Sequence, residues 1–208
     1  VPARSVVCGN GSREVIYLLV RALRPVLVLI PAPTFSEYER ACVLNEGASC
    51  TRYDLSSQDG FAIDLGRFIV AMAGCNMAFL CNPNNPTGRL VEREAVLELV
   101  RAAKRADCLL VVDEAFIDFT PDQSLVKDVD GTSHLIVLRS LTKFYALSGL
   151  RIGYGIFPDG VIQRISAHKE PWTVNTLAQL AAVTAIRDRA YQQRTTEVIS
   201  AEKGYLER

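Results

Sequence analysis

The stretch MAFLCNPNNPTGRLVEREAVLELVRAAKRADCLLVVD, residues 77–113, carries the reading of the fold. It opens on Met77–Cys81 and closes on Leu109–Val112, two short apolar runs of the kind found in strands buried on both faces. Between them, Glu92–Arg105 sets Val96, Leu99, Val100 and Ala103 on one face of a helix. Strand, helix, strand is the unit of a parallel sheet with crossover helices. The same alternation extends outward in both directions. Further strands are expected at Ser5–Cys8, Val26–Ile30, Ser49–Tyr53, Leu135–Leu138 and Ile152–Ile156. Helices are expected at Glu14–Leu23 and Phe35–Leu44, and a long helical tail from Val174 to about Tyr205. Thr120–Ser133 is the longest irregular stretch, and its Pro121 and Gly131 suit a surface excursion. The pattern is that of an α/β protein: a mostly parallel sheet of about seven strands with helices on both faces.

Composition narrows the function. The chain has 208 residues, and its 23 basic and 23 acidic residues cancel. A nucleic-acid binder needs a basic surplus to displace counterions, so that class is disfavoured. Apolar residues make up 49 % of the chain, enough for a sizeable core and against disorder. The longest apolar runs, such as Val15–Val20 and Val26–Ile30, fall short of the roughly 18 residues of a membrane helix. The six cysteines (Cys8, Cys42, Cys50, Cys75, Cys81 and Cys108) contain no CxxC pair, and several lie in or beside apolar runs, as reduced core thiols do. His134 and His168 stand apart, without partners at metal spacing, so no metal site is expected.

Four segments just after expected strands carry the chemistry, because ligands in open α/β sheets bind outside the carboxyl ends of strands. Gly9-Asn10-Gly11-Ser12 leads into a helix whose first N–H groups and partial positive charge suit a phosphate. It reads equally as a plain turn with Ser12 as N-cap. Asn82-Pro83-Asn84-Asn85-Pro86-Thr87-Gly88 is stiffened by its two Asn-Pro pairs and can hold the Asn85 amide in a definite place. These are also common turn residues. Asp113 follows the central strand Leu109–Val112, where a carboxylate wants a cation; the plainer reading is an aspartate just beyond the strand that is solvated or caps a helix. In Arg139-Ser140-Leu141-Thr142-Lys143-Phe144 a lysine sits among apolar residues. Desolvation there would favour imine formation with a carbonyl, with Ser140 and Arg151 able to bind an anion beside it. The plain alternative is a surface charge. Taken together, a phosphate cradle, a fixed amide, a carboxylate and an amine match the needs of pyridoxal 5′-phosphate.

The strings Asn-Pro-Asn-Asn-Pro-Thr-Gly (residues 82–88), Asp-Glu-Ala-Phe (113–116) and Ser-Leu-Thr-Lys…Gly-Leu-Arg-Ile-Gly-Tyr (140–154) resemble the fold-type I aminotransferases of class I/II. The nearest branch is that of histidinol-phosphate aminotransferase and threonine-phosphate decarboxylase, and the likeness runs from Gly9 to about Ala182. It implies the large domain of fold-type I enzymes, with Lys143 as the Schiff-base lysine and Asp113 as partner of the pyridinium nitrogen. By the same likeness Asn85 donates to the ring oxygen, and Gly11, Ser12, Arg13, Ser140 and Arg151 hold the phosphate. Phe35 falls where the family stacks an aromatic ring, against the plainer reading of a core aromatic. Phe116 stands where the aminotransferases usually have tyrosine, which removes one hydrogen bond to the ring oxygen. Arg13 stands where the decarboxylases more often have a small hydroxyl residue, and either a phosphate contact or solvent suits it.

The strings Gly-Asn-Gly-Ser-Arg-Glu (9–14), Pro-Thr-Phe-Ser-Glu-Tyr-Glu-Arg-Ala (33–41), Asp-Glu-Ala-Phe-Ile-Asp-Phe (113–119) and Pro-Trp-Thr-Val-Asn (171–175) look more like the decarboxylase. The expectation is a carboxy-lyase acting on L-threonine O-3-phosphate to give (R)-1-aminopropan-2-yl phosphate for cobalamin synthesis. The alternatives are histidinol-phosphate or related aminotransferase activity, and a non-catalytic module that binds the cofactor. The resemblance further implies a homodimer that binds a phosphorylated amino acid; the reduced cysteines point to the cytoplasm, and the charge balance and short apolar runs to neither nucleic acid nor membrane. Residues 1–172 would form the cofactor-binding domain, and 173–208 a helix leading toward a smaller domain. That domain and the family's N-terminal arm are both expected to lie outside this sequence.

Overall fold

The computed structural model describes residues 1–206. Its strands are β1 (Val6–Gly9), β2 (Leu27–Ala32), β3 (Ser49–Asp54), β4 (Met77–Cys81), β5 (Leu109–Asp113), β6 (Leu135–Ser140) and β7 (Gly153–Ile156). They form one sheet in the order β1-β7-β6-β5-β4-β2-β3. β7 pairs antiparallel with both neighbours, and the other pairs are parallel. β7 is therefore the single reversed strand. The carboxyl ends of the other six open on one edge, and β7 begins there. Every residue of β4 is buried, as its apolar run requires.

Helices α1 (Ser12–Leu23) and α2 (Glu37–Val43) cover one face of the sheet, joined later in the chain by α5 (Asp159–His168). The opposite face is covered by α3 (Leu65–Met72) and α4 (Arg93–Arg105). The expected stripe of Val96, Leu99, Val100 and Ala103 is buried against the sheet. α1 stops where Arg24 turns left-handed (φ 46°) and its N–H closes on the Val20 carbonyl at 2.9 Å.

Several expectations are corrected. α3 and α5 are helices that the apolar periodicity does not announce. In α3 the run Phe68-Ile69-Val70-Ala71-Met72 would suit a strand. The helix is set by Asp64, whose carboxylate caps it by accepting from the Arg67 N–H at 2.9 Å. The long tail is two helices, α6 (Thr176–Arg187) and α7 (Arg189–Leu206). The break falls at Asp188, whose carboxylate accepts from the Tyr191 N–H at 2.9 Å and so starts a second helix. The stretch Thr120–Ser133 contains short 3-10 turns, with Leu125 and Val129 tucked into the core. The six cysteines are free, but not all are core thiols: Cys8 is exposed on the outermost strand and Cys50 only partly covered. Among the described residues no helix is long and apolar enough to cross a membrane, and no cluster of His, Cys, Asp and Glu could hold a metal ion.

Candidate active site

The open edge of the sheet holds a cleft lined by Ser12, Arg13, Phe35, Cys81, Asn85, Asp113, Ala115, Phe116, Ser140, Thr142, Lys143 and Arg151. Every candidate named from the sequence lines it except Gly11, which shapes it from behind. The reason is topological. Each residue lies at or just after the carboxyl end of β1, β2, β4, β5 or β6, or precedes the reversed β7.

Gly11 precedes α1 with φ +83°, and a Cβ there would lie 2.7 Å from Arg151 Nη2. Only glycine lets the guanidinium come this close to the helix start. Gly153 tightens the junction further, because its Cβ would meet the Ser12 nitrogen at 2.4 Å. Arg151 is itself left-handed (φ 56°) and donates from Nη1 to the Ser148 carbonyl at 2.9 Å. The first N–H groups of α1 and one anchored guanidinium thus face the same space, a site built for an anion. The N-cap is Gly11 and Ser12 is the first helical residue, so the plain N-cap reading of Ser12 does not hold. The Arg13 side chain is paired with Glu37 at 2.7 Å and lies 5.5 Å from the Tyr17 ring centre. Its charge is largely spoken for.

The 82–88 loop explains why three asparagines are needed. Asn82 exchanges two 2.8 Å bonds with the Val91 backbone. The Asn84 amide donates to the Pro33 carbonyl and to Thr87 Oγ1, and its oxygen accepts from Thr34 Oγ1 at 2.7 Å. These two tie the loop down. Asn85 takes no part in those bonds and lines the cleft.

Asp113 is 2 % exposed. Its Oδ2 accepts from the Tyr38 hydroxyl at 2.8 Å and its Oδ1 from the Ala115 N–H at 3.1 Å. Burial pushes its carboxyl up to about 6, against the opposing pull of those two donors. No basic side chain among the described residues forms an ion pair with it. Tyr38 is fully buried between the Phe79 ring, stacked at 4.6 Å, and the Phe35 ring, met edge-on at 5.6 Å. Burial and the Asp113 charge hold its phenol well above the ordinary value.

Lys143 follows β6 in the turn that begins at Leu141. The expected burial is not found, since the side chain is exposed at the cleft rather than enclosed by its apolar neighbours. The neighbours Leu141 and Phe144 turn inward while Lys143 points the other way, with Nζ 5.7 Å from the Phe116 ring centre. Ser140 and Thr142 share a 2.7 Å hydroxyl contact at the base of the cleft. Sequence reasoning misses Tyr38, Cys81, Ala115 and Thr142. Tyr38 is within its reach, because it sits one helical turn after Phe35. Cys81 reads in the sequence only as a core thiol, although it ends a strand directly before the asparagine loop and pairs in register with Asp113.

The geometry agrees with comparisons to known proteins. Threonine-phosphate decarboxylase of Salmonella typhimurium is 39 % identical over 197 residues, covering 94 % of this chain and 54 % of that one. Histidinol-phosphate aminotransferase of Methanocella arvoryzae is 32 % identical, covering 99 % of this chain and 56 % of its own length. The crystal structure of histidinol-phosphate aminotransferase from Clostridium acetobutylicum superposes with a TM-score of 0.89 at 31 % identity, over 98 % of this chain and 60 % of that one. The chain spans about half the length of the curated relatives it matches. The model of aminotransferase class I and II matches residues 1–206, and the chain belongs to that family.

Proposed function

We propose that the cleft binds pyridoxal 5′-phosphate and that the protein decarboxylates L-threonine O-3-phosphate. One observation carries the cofactor reading: a buried carboxylate with no cationic partner among the described residues, an asparagine left out of the bonds that tie down its loop, an amine and an anion cradle converge in a single cleft. The residues fit the group. Asp113 would supply the negative charge that a protonated ring nitrogen needs, and the first N–H groups of α1, with the Arg151 guanidinium that Gly11 lets pack against them, would cradle a phosphate. When bound, the cofactor draws off the electrons released at the substrate α-carbon. Ser12, Arg13, Ser140 and Arg151 would hold the phosphate, the first two through their backbone N–H groups. Asn85 would donate to the ring oxygen, and Phe35 would cover a ring face. Lys143 Nζ would hold the aldehyde of the bound cofactor and, as carbon dioxide leaves, would be placed to deliver the proton that the α-carbon takes up.

The choice of decarboxylation rests on the higher identity to the Salmonella decarboxylase and on the local strings 9–14, 33–41, 113–119 and 171–175. Phe116 supports it, since the tyrosine usual in the aminotransferases is missing. The fold does not discriminate, because an aminotransferase superposes with a TM-score of 0.89. Aminotransfer on histidinol phosphate is therefore the second reading. On the first, the protein acts as a cytoplasmic homodimer, checked by sedimentation and fractionation.

The test is to supply the native protein with threonine phosphate, and separately with histidinol phosphate plus 2-oxoglutarate. Carbon dioxide release without glutamate formation is expected; glutamate formation overturns the decarboxylase. Lys143→Ala should abolish product formation while leaving the fold intact, as the side chain is exposed. Undiminished turnover in that variant would remove the lysine from the mechanism.

A further inference from the structure

The Asp113 carboxylate is not positioned by its own strand alone. Its Oδ2 is held by the Tyr38 hydroxyl, which α2 delivers from 75 residues earlier in the chain. Tyr38 has no exposed surface and is not among the cleft-lining residues, so it does not itself meet a ligand. It is locked by Phe79, stacked at an interplanar angle of 10°, and it meets the Phe35 ring at 83°. Phe35 and Asp113 both line the cleft, one on a ring face and one at the ring's edge in the reading above.

We propose that Tyr38 is a positioning residue: its hydroxyl keeps the Asp113 carboxylate ionised and aimed, and its ring sets the orientation of Phe35. This rests on the reading that the cleft takes pyridoxal 5′-phosphate. The physical basis is that a buried carboxylate facing neutral donors keeps its charge only as well as those donors stabilise it. Cys81 adds no positive charge on the β4 side, and burial keeps its thiol protonated, up at about 12. The cations that share the cleft are Arg13, Lys143 and Arg151, and none pairs with Asp113. The backbone N–H of Ala115 binds the other oxygen. Tyr38 is thus the only side-chain donor to this group among the described residues.

Tyr38→Phe tests it, because both ring contacts survive and only the hydroxyl is lost. The dissociation constant of pyridoxal 5′-phosphate is measured by absorbance titration as a function of pH, for the 208-residue chain and the variant. Asp113 must be ionised to meet a protonated ring, so affinity falls below the pH at which the free protein's carboxyl takes up its proton. In the wild type that pH is about 6. Loss of a hydrogen bond to a charged group should raise it by about one unit, making the variant roughly tenfold weaker at acid pH. The two proteins should converge at alkaline pH, where Asp113 is ionised in both. A carbon-13 titration of the Asp113 carboxyl in the cofactor-free proteins should show the same upward move. In an Asp113→Asn background the substitution should leave the pH profile unchanged.

Uniform weakening at every pH, or identical profiles, would overturn the positioning role and leave the cofactor reading standing. Absence of cofactor binding by the wild type would overturn the cofactor reading and this proposal with it.

Discussion

Asp113 and Glu114 are consecutive, both are buried, and burial raises the proton affinity of both, yet the fold treats them in opposite ways. Glu114 is completed from within. It accepts from the Leu125 N–H at 2.6 Å and Ser124 Oγ at 2.7 Å, and it pairs with the Arg139 guanidinium at 3.3 Å. Arg139 in turn binds Asp118. Asp113 receives two neutral donors and no cation. The difference teaches how to tell a structural carboxylate from a functional one at a strand end. Glu114 is neutralised by its own chain, whereas Asp113, on the proposed cofactor reading, is left for a charge that arrives with a ligand.

That contrast can be broken at three points. Arg139→Met should have the largest effect, because it strands Glu114 and Asp118 in the interior. A loss of about 3–5 kcal/mol in denaturant unfolding is expected, with the cofactor affinity of the folded protein unchanged. An equal loss of affinity would mean the two regions are not separable.

Asp113→Asn should act with the opposite sign on stability. The folded carboxyl titrates near 6 against an ordinary 3.8, so the folded state binds the proton more tightly. Stability from this group is therefore highest below the unfolded value, declines as pH rises toward about 6, and stays diminished above it. Removing the charge should raise the stability of the cofactor-free protein at neutral pH by up to about 3 kcal/mol and flatten that slope, while turnover collapses. A destabilised Asp113→Asn protein would show that the carboxylate is structural after all.

Arg13→Ala should do least. Its ion pair with Glu37 is half-exposed, and such pairs contribute under about 1 kcal/mol. Cofactor affinity should scarcely move, because the helix start acts through the Arg13 backbone. A tenfold loss would instead place the guanidinium on the phosphate.

Much of the arrangement is legible in the order of the amino acids. All seven strands fall close to where the sequence predicts them, most plainly the central β4, β5 and β6, because a strand buried on both faces has no polar side to disguise it. Gly11, Asn85, Asp113 and Lys143 stand out because each breaks the local pattern at or just after a strand, and Arg151 because it does so just before one. Less legible are the features settled by individual contacts. The helix α3 is indistinguishable from a strand until Asp64 caps it, and the tail reads as one helix until Asp188 interrupts it. The desolvation expected for Lys143 fails for a related reason: apolar neighbours in sequence do not enclose a side chain that turns away from them.

The amino-acid order by itself determined the class of fold, the family and the set of reactive groups, since these depend on periodicity and on residue types at fixed spacing. Tertiary structure alone decided the partners. It gave Arg139 to Glu114 and Glu37 to Arg13, and brought Tyr38 across 75 residues to Asp113. Partnership depends on which strand lies beside which and which helix covers them. It is here that two adjacent carboxylates acquire different chemistry.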